Sequence, residues 1–173
     1  MEKRNEVLKT ERLLLSPFDE TDRSQMVAIL CNQEIKKTYM IPDFADQKEA
    51  GALFERLMNF SKMDNHFVYA IRLNNRVIGF INDCEMNDAM VELGYVITPD
   101  DQGNGFATEA VQCCIDELFR MGIDRVRAGF FENNIPSKRV MEKCGMHKID
   151  LEEDIEYKGV LHHCMYYEIH RTQ

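Results

Sequence analysis

Residues 102–107 read Gln-Gly-Asn-Gly-Phe-Ala, at the point where a strand-like pattern hands over to a helical one. Gly103 and Gly105 leave the backbone bare enough for a ligand to approach, and unpaired N–H groups at a helix start favour an anion there. Consecutive amides facing one space make a site for a diphosphate. A tight hairpin turn at Asn104-Gly105 is the plainer alternative, but a helical pattern follows it rather than a second strand. Two other phosphate loops fit less well. The Gly-Lys-Ser/Thr ending of a P-loop is absent from the chain. A dinucleotide fingerprint finds Gly103 and Gly105 at its spacing and Glu132 after the next strand, yet Thr108 stands where its third glycine belongs. A dinucleotide-binding protein is therefore the more distant reading.

His162-His163-Cys164 invites a metal, but neighbours in a strand point to opposite faces and no second pair has a recognised zinc spacing. No metal is expected. The vicinal Cys113-Cys114 falls in a helical stretch with no nearby His, so it reads as core packing rather than a nucleophile.

The glycine loop works only if a sheet and a helix hold it. Residues 11–16 carry Leu13-Leu14-Leu15 before Pro17 and suit a short buried strand. Asp19 reads as the N-cap of a helix burying Met26, Val27, Ile29 and Leu30, and Asp46 as the cap of a second with Ala50, Leu53, Phe54 and Leu57 at helical spacing. Residues 39–45 read as a loop. Strands at 67–71 and 77–81 join through Asn74-Asn75, and a third runs over 90–98, which together predict an antiparallel meander. In that third strand Val91, Leu93, Tyr95 and Ile97 share one face, and Glu92, Gly94 and Val96 the other. Gly94 marks a bulge, a close backbone approach, or simply a weak strand position. A helix with Ala107, Ala110, Val111, Cys114, Ile115 and Leu118 inward, closed by Gly122, leads to a strand at 125–131. Strand, helix and strand in succession predict a parallel crossover. A helix over 136–143 and strands over 146–151 and 160–169 complete a mixed α/β fold, read as a single domain over 1–173.

The totals agree with an enzyme-sized globule. At 173 residues, with 45% apolar and 29% charged, the chain is long enough to bury about 70% of its unfolded surface. A net charge of −9 argues against nucleic acid as a partner and mildly favours cationic ones. No 18 apolar residues run together, so no membrane partner is expected, and the charged start does not read as a secretory signal. Six scattered cysteines without a CxxC pair then read as reduced thiols, with the cytoplasm as location.

The run Glu92-Leu93-Gly94-Tyr95, Pro99 and residues 102–110 resembles the acetyl-CoA motif of the GNAT superfamily of N-acetyltransferases. A second run, Asn134-Ile135-Pro136-Ser137-Lys138-Arg139 through Gly145-Met146, is similar to the next motif in that superfamily's RimJ/RimL-like branch, as are Thr10-Glu11-Arg12-Leu13 and Tyr157-Lys158-Gly159 with His162 and Tyr167. The resemblance covers nearly the whole chain. It implies a GNAT-like fold with a splayed sheet, acetyl-CoA as co-substrate and an amine acceptor, either a protein N-terminus or a small molecule, acetylated by direct attack in a ternary complex. A non-catalytic acetyl-CoA-binding module that regulates a partner is the alternative, and the oligomer is a monomer or homodimer.

The resemblance also implies roles. The diphosphate would lie on the amides of Gln102, Gly103, Asn104, Gly105, Phe106 and Ala107, with Thr108 at its edge. The pantetheine arm would add like a strand to the backbone of Tyr95, Val96, Ile97 and Thr98. Ser137, with Asn134, aligns near the sulfur and would serve as proton donor or thiolate stabiliser, against the alternative of an ordinary cap in the first helical turn. Glu92 or Glu156 would be the base, unless both are merely solvated. Tyr39, Phe44 and Phe131 would shape the acceptor pocket, against the alternative that they are core aromatics. The chain departs from the branch by placing Asp100-Asp101 before a loop without Lys or Arg, where Lys138 and Arg139 are expected to offset the carboxylates, and by having Ser16 where an arginine is common.

Overall fold

The computed structural model describes residues 2–172. Asp46 caps its helix as expected, whereas Asp19 caps a 3-10 turn ahead of the first α-helix, whose own N-cap, Asp22, makes no side-chain cap bond. Asp19 forms a capping box with Asp22 over a short 3-10 turn, and α1 (Arg23–Cys31) follows. The Asp46 carboxylate accepts from the Glu49 N–H at 3.0 Å and opens α2 (Gln47–Phe60). Both aspartates satisfy donors that a helix start leaves without partners.

The strands are β1 (Leu8–Lys9), β2 (Leu14–Ser16), β3 (Tyr69–Leu73), β4 (Arg76–Met86), β5 (Met90–Ile97), β6 (Arg125–Phe131), β7 (His147–Tyr157) and β8 (Val160–His170), with α3 (Phe106–Arg120) and α4 (Ile135–Lys143) between them. All eight strands form one sheet in the order β1-β2-β3-β4-β5-β6-β8-β7. β3 to β5 are the antiparallel meander, and Asn74 and Asn75 both take positive φ, as a two-residue hairpin needs. β5 and β6, joined through α3, are parallel.

Two layers of helix cover the sheet. Ala110, Val111, Cys114, Ile115 and Leu118 of α3 and Met141 of α4 bury against Val91, Leu93 and Ile97 on one face. Met26, Ile29 and Leu30 of α1 and Phe54 of α2 bury with Phe80 and Val96 on the other. The alternation along β5 therefore runs as its sequence predicts, and Cys114 is core.

Three local expectations need correction. The buried strand near residue 14 covers only Leu14–Ser16 and pairs with a further two-residue strand, β1, too short to carry a periodic signal. β7 runs to Tyr157 instead of ending near Leu151, because a strand at the sheet edge carries the charges of its second half into solvent. The bulge beside Gly94 lies in the neighbouring strand, where the register shifts between Asp83 and Glu85. Gly94 itself answers a close approach: a Cβ there would meet the Tyr39 hydroxyl at 2.7 Å and Cys84 Sγ at 2.9 Å.

Tyr39 comes from the loop before α2, and the tip of the β7–β8 hairpin straps that loop down. The Tyr157 hydroxyl donates to the carbonyl of Ile41 at 3.0 Å, and Lys158 pairs with Asp43 at 2.6 Å. Gly94→Ala should cost about 1–3 kcal/mol of stability by overpacking this contact. Urea denaturation should show part of that loss recovered when Tyr39→Phe removes the hydroxyl from the same chain.

Candidate active site

The sheet opens where β5 and β6 part. They pair only at Met90–Arg125, Val91–Val126 and Glu92–Arg127. Beyond these β6 stays bonded to β8 as far as Phe131, and β5 stays bonded to β4. Extending the register sets Gly94 opposite Gly129, with Tyr39 lying on the first and the Tyr166 ring 2.7 Å from where a Cβ of the second would stand.

The glycine loop sits at the mouth of this opening. A 3-10 turn over Pro99–Asp101 brings the chain round, and Gly103 (φ 78) and Gly105 (φ 81) take left-handed backbone that other residues rarely adopt. Asn104 braces the turn by donating to the carbonyls of Asp101 at 3.2 Å and Gln102 at 3.1 Å. The Gln102 N–H is spent on Pro99 at 3.3 Å, but the N–H groups of residues 103–108 have no acceptor among the described residues. Six unspent donors at the N-terminus of a 15-residue helix make a strong anion cradle. Bare glycines and unspent amides fit the diphosphate of a coenzyme A molecule.

Nearby charge is arranged to suit an anion. Asp101 is buried and bridged by Arg76 at 2.8 and 2.9 Å, and that guanidinium, helped by Thr98, holds its carboxyl below the usual aspartate range. Asp100 is exposed and is not among the residues that line the cleft. Of the two neighbouring carboxylates, the one that lines the cleft is therefore matched by an arginine. Arg139 and Lys143, one helical turn apart on α4, line the cleft without a carboxylate partner among the described residues. Lys138 is paired with Glu142 at 3.8 Å.

Of the residues expected to hold the cofactor, 95–97, 102, 103, 105–108, Asn134, Ser137 and Arg139 line one cleft of about 730 Å³. Thr98 and Asn104 do not. The Thr98 N–H is bonded to Ile78 at 2.8 Å and its hydroxyl to Asp101, while the Ile97 carbonyl accepts from the Gln102 side chain at 2.9 Å.

Ser137 lies in the first turn of α4, but the cap there is Asn134, whose side chain accepts from the Ser137 N–H at 3.3 Å. The Ser137 hydroxyl instead meets the Tyr95 hydroxyl at 2.8 Å, and the same phenol lies 3.1 Å from the Ser137 carbonyl. Burial pushes the Tyr95 phenol well above its usual range, so it remains a protonated donor.

Glu92 is on the other face of β5, bonded to Arg127 at 3.0 Å. Loss of solvent raises its pKa more than Arg127 lowers it, with Glu85 and Glu153 adding to the rise. It does not line the cleft, although Gly94, two residues on, does. Glu156 is exposed on β7, opposite Leu161, and is also outside the cleft lining. Tyr39 lines the cleft, whereas Phe44 lies over Lys36 and Phe131 stacks on His162 at 4.2 Å. Ser16 accepts from Arg72 at 2.8 Å, so a guanidinium reaches that position from the adjacent strand. His163 pairs with Asp154 at 2.8 Å, and among the described residues no group of three or more ligands is placed for a metal ion.

The sequence assigns no role to Arg12, which it offers only within a motif, to Lys143 or to the phenol of Tyr95. Lys143 was within reach through its four-residue spacing from Arg139. Arg12, which bonds to the glycine loop across 92 positions, left no local signal.

Comparison with known proteins is consistent with this geometry. A family profile described as the acetyltransferase (GNAT) domain matches residues 12–147. The uncharacterized N-acetyltransferase YnaD of Bacillus subtilis is 30% identical over 145 residues, covering 82% of each chain. The crystal structure of a GNAT-family acetyltransferase from Bacillus anthracis superposes with a TM-score of 0.81 at 24% identity, covering 95% of this chain and 98% of that one. RimL, a ribosomal L7/L12 alpha-N-protein acetyltransferase solved with coenzyme A, superposes with a TM-score of 0.83 at 17% identity and the same coverage. The fold, the amide cradle and the matching family profile lead to one conclusion: the chain belongs to the acetyltransferase (GNAT) family and is an acetyl-CoA-dependent N-acetyltransferase.

Proposed function

We propose that the acceptor is a primary amine, a protein N-terminus or a small molecule, acetylated by direct attack in a ternary complex. The observation that carries this reading is one continuous cleft with six unspent amides at one end and the Ser137–Tyr95 hydroxyl pair further in. No cysteine among the described residues lines that cleft, which supports direct transfer over an acyl-cysteine relay. The shared fold with RimL, named for acting on a protein N-terminus, favours the peptide class of acceptor.

Acetyl-CoA, when bound, supplies an activated thioester and leaves a thiolate. The amides of residues 103–108 hold the diphosphate, Arg139 and Lys143 add positive charge, and the open edge of β5 at residues 95–97 takes the arm. Ser137 holds the proton that the departing sulfur needs. A phenol has one proton to give: when Tyr95 donates it to Ser137 Oγ, at 2.8 Å, rather than to the Ser137 carbonyl, at 3.1 Å, the serine proton is free to face the sulfur. Glu92 and Glu156 are the two proposed bases. A position on the opposite face of β5 from Ser137 and a raised pKa support Glu92.

Ser137→Ala should lower kcat by about 10²–10⁴, measured as thiol release, while calorimetry finds CoA affinity within twofold of the parent. Tyr95→Phe should give a smaller kcat loss and no more than that in KM for acetyl-CoA. Unchanged turnover in a folded Ser137→Ala chain removes the serine from the chemistry.

A base with a raised pKa is protonated, and inactive, to higher pH than an ordinary glutamate. The kcat/KM profile should therefore rise with pH through a limb above the usual carboxylate range, and Glu92→Gln should abolish that limb. Persistence of the limb in Glu92→Gln transfers the role to another group, with Glu156→Gln the next variant to measure. A panel of N-terminal peptides and small amines assigns the acceptor, and peptides with a free α-amine should show the larger kcat/KM.

A further inference from the structure

Arg12 takes no part in the roles assigned above, yet it is anchored at the back of the glycine loop. Its Nη1 donates to the Asn104 carbonyl at 3.0 Å. Its Nε and backbone N–H both donate to Glu109, at 2.7 and 2.9 Å, and its guanidinium lies 4.6 Å from the Phe106 ring centre. Thr10 donates to the same Glu109 carboxylate. The turn between β1 and β2 is thereby fastened to the first turn of α3.

The contact with Asn104 bears on the cofactor because of peptide geometry. The carbonyl of Asn104 and the N–H of Gly105 belong to one planar unit and point in opposite directions. Gly105 lines the cleft and Arg12 does not. Holding the carbonyl outward on Arg12 therefore turns the Gly105 N–H inward. Glycine at position 105, at φ 81, leaves the reversed orientation of this peptide accessible as well, so the loop by itself does not choose.

We propose that Arg12 is a positioning residue for acetyl-CoA: it selects the orientation of the 104–105 peptide that presents the Gly105 N–H to the diphosphate. It acts through geometry rather than net charge, because its guanidinium is matched by Glu109 at 2.6 Å. A lysine cannot substitute, since one ammonium lacks the planar fork that spans Glu109 and the Asn104 carbonyl together.

Calorimetric titration with CoA tests this without any acceptor. Arg12→Met and Arg12→Lys should each weaken CoA about tenfold, while Glu109→Gln, which keeps Arg12 beside Asn104, should stay within threefold. Dephospho-CoA keeps the diphosphate and should show the same fold-loss. CoA affinity within twofold of the parent in Arg12→Lys overturns the proposal, and that variant retains the cation against Glu109 and Phe106 should Arg12→Met fail to fold. A loss confined to CoA and absent with dephospho-CoA also overturns it, by moving the effect to the 3′-phosphate.

Discussion

Parallel pairing between β5 and β6 ends after three residue pairs, and the site exists because it ends there. Each strand has a stronger commitment elsewhere: β6 is bonded to β8 along its full length, and β5 follows β4 through its own last residue. Once the two diverge, backbone polar groups on the facing edges lack strand partners, a state that a sheet interior does not tolerate without a ligand or water. The second positions past the last pair, Gly94 and Gly129, are glycines on both sides, each overlain by a tyrosine. The fork is thus bare at its base, walled by aromatic rings, and capped by the helix start that carries the amide row.

An acidic chain that must hold a polyanion has to manage its own carboxylates. It does so one at a time. Asp101 is held by Arg76, Asp22 by Arg72 and Glu109 by Arg12, each through two or more contacts at hydrogen-bond distance. Every one of these arginines comes from a distant strand or turn, so the loop needs no basic residue of its own. Arg139 and Lys143 are left as cleft-lining cations without a carboxylate partner among the described residues. The overall charge of −9 consequently says little about the local field at the glycine loop.

Much of this was legible in the sequence because it rests on local rules. Alternation in β5 follows from a period of two, Asn74-Asn75 specifies its hairpin, and the caps at Asp19 and Asp46 satisfy nearby helix donors. The amide row was legible because glycines before a helix leave few other uses for those groups. What stayed hidden depends on contacts across the chain. Nothing near Arg12 announces the loop it touches, nothing near Asp101 announces Arg76, and Ser137 reads as a cap until Asn134 is seen to occupy that role. The far half of β7 was missed because an edge strand can be as charged as a loop.

The loop that bears Tyr39 and the glycine loop line one cleft but are held by separate parts of the chain. Tyr157 and Lys158 fasten the loop that bears Tyr39, whereas the cofactor's cradle is braced from the N-terminal turn. Changes in the hairpin tip can reshape one wall of the cleft while the glycine loop keeps its geometry. Such a division lets descendants of one ancestor diverge in what they modify yet keep the same donor.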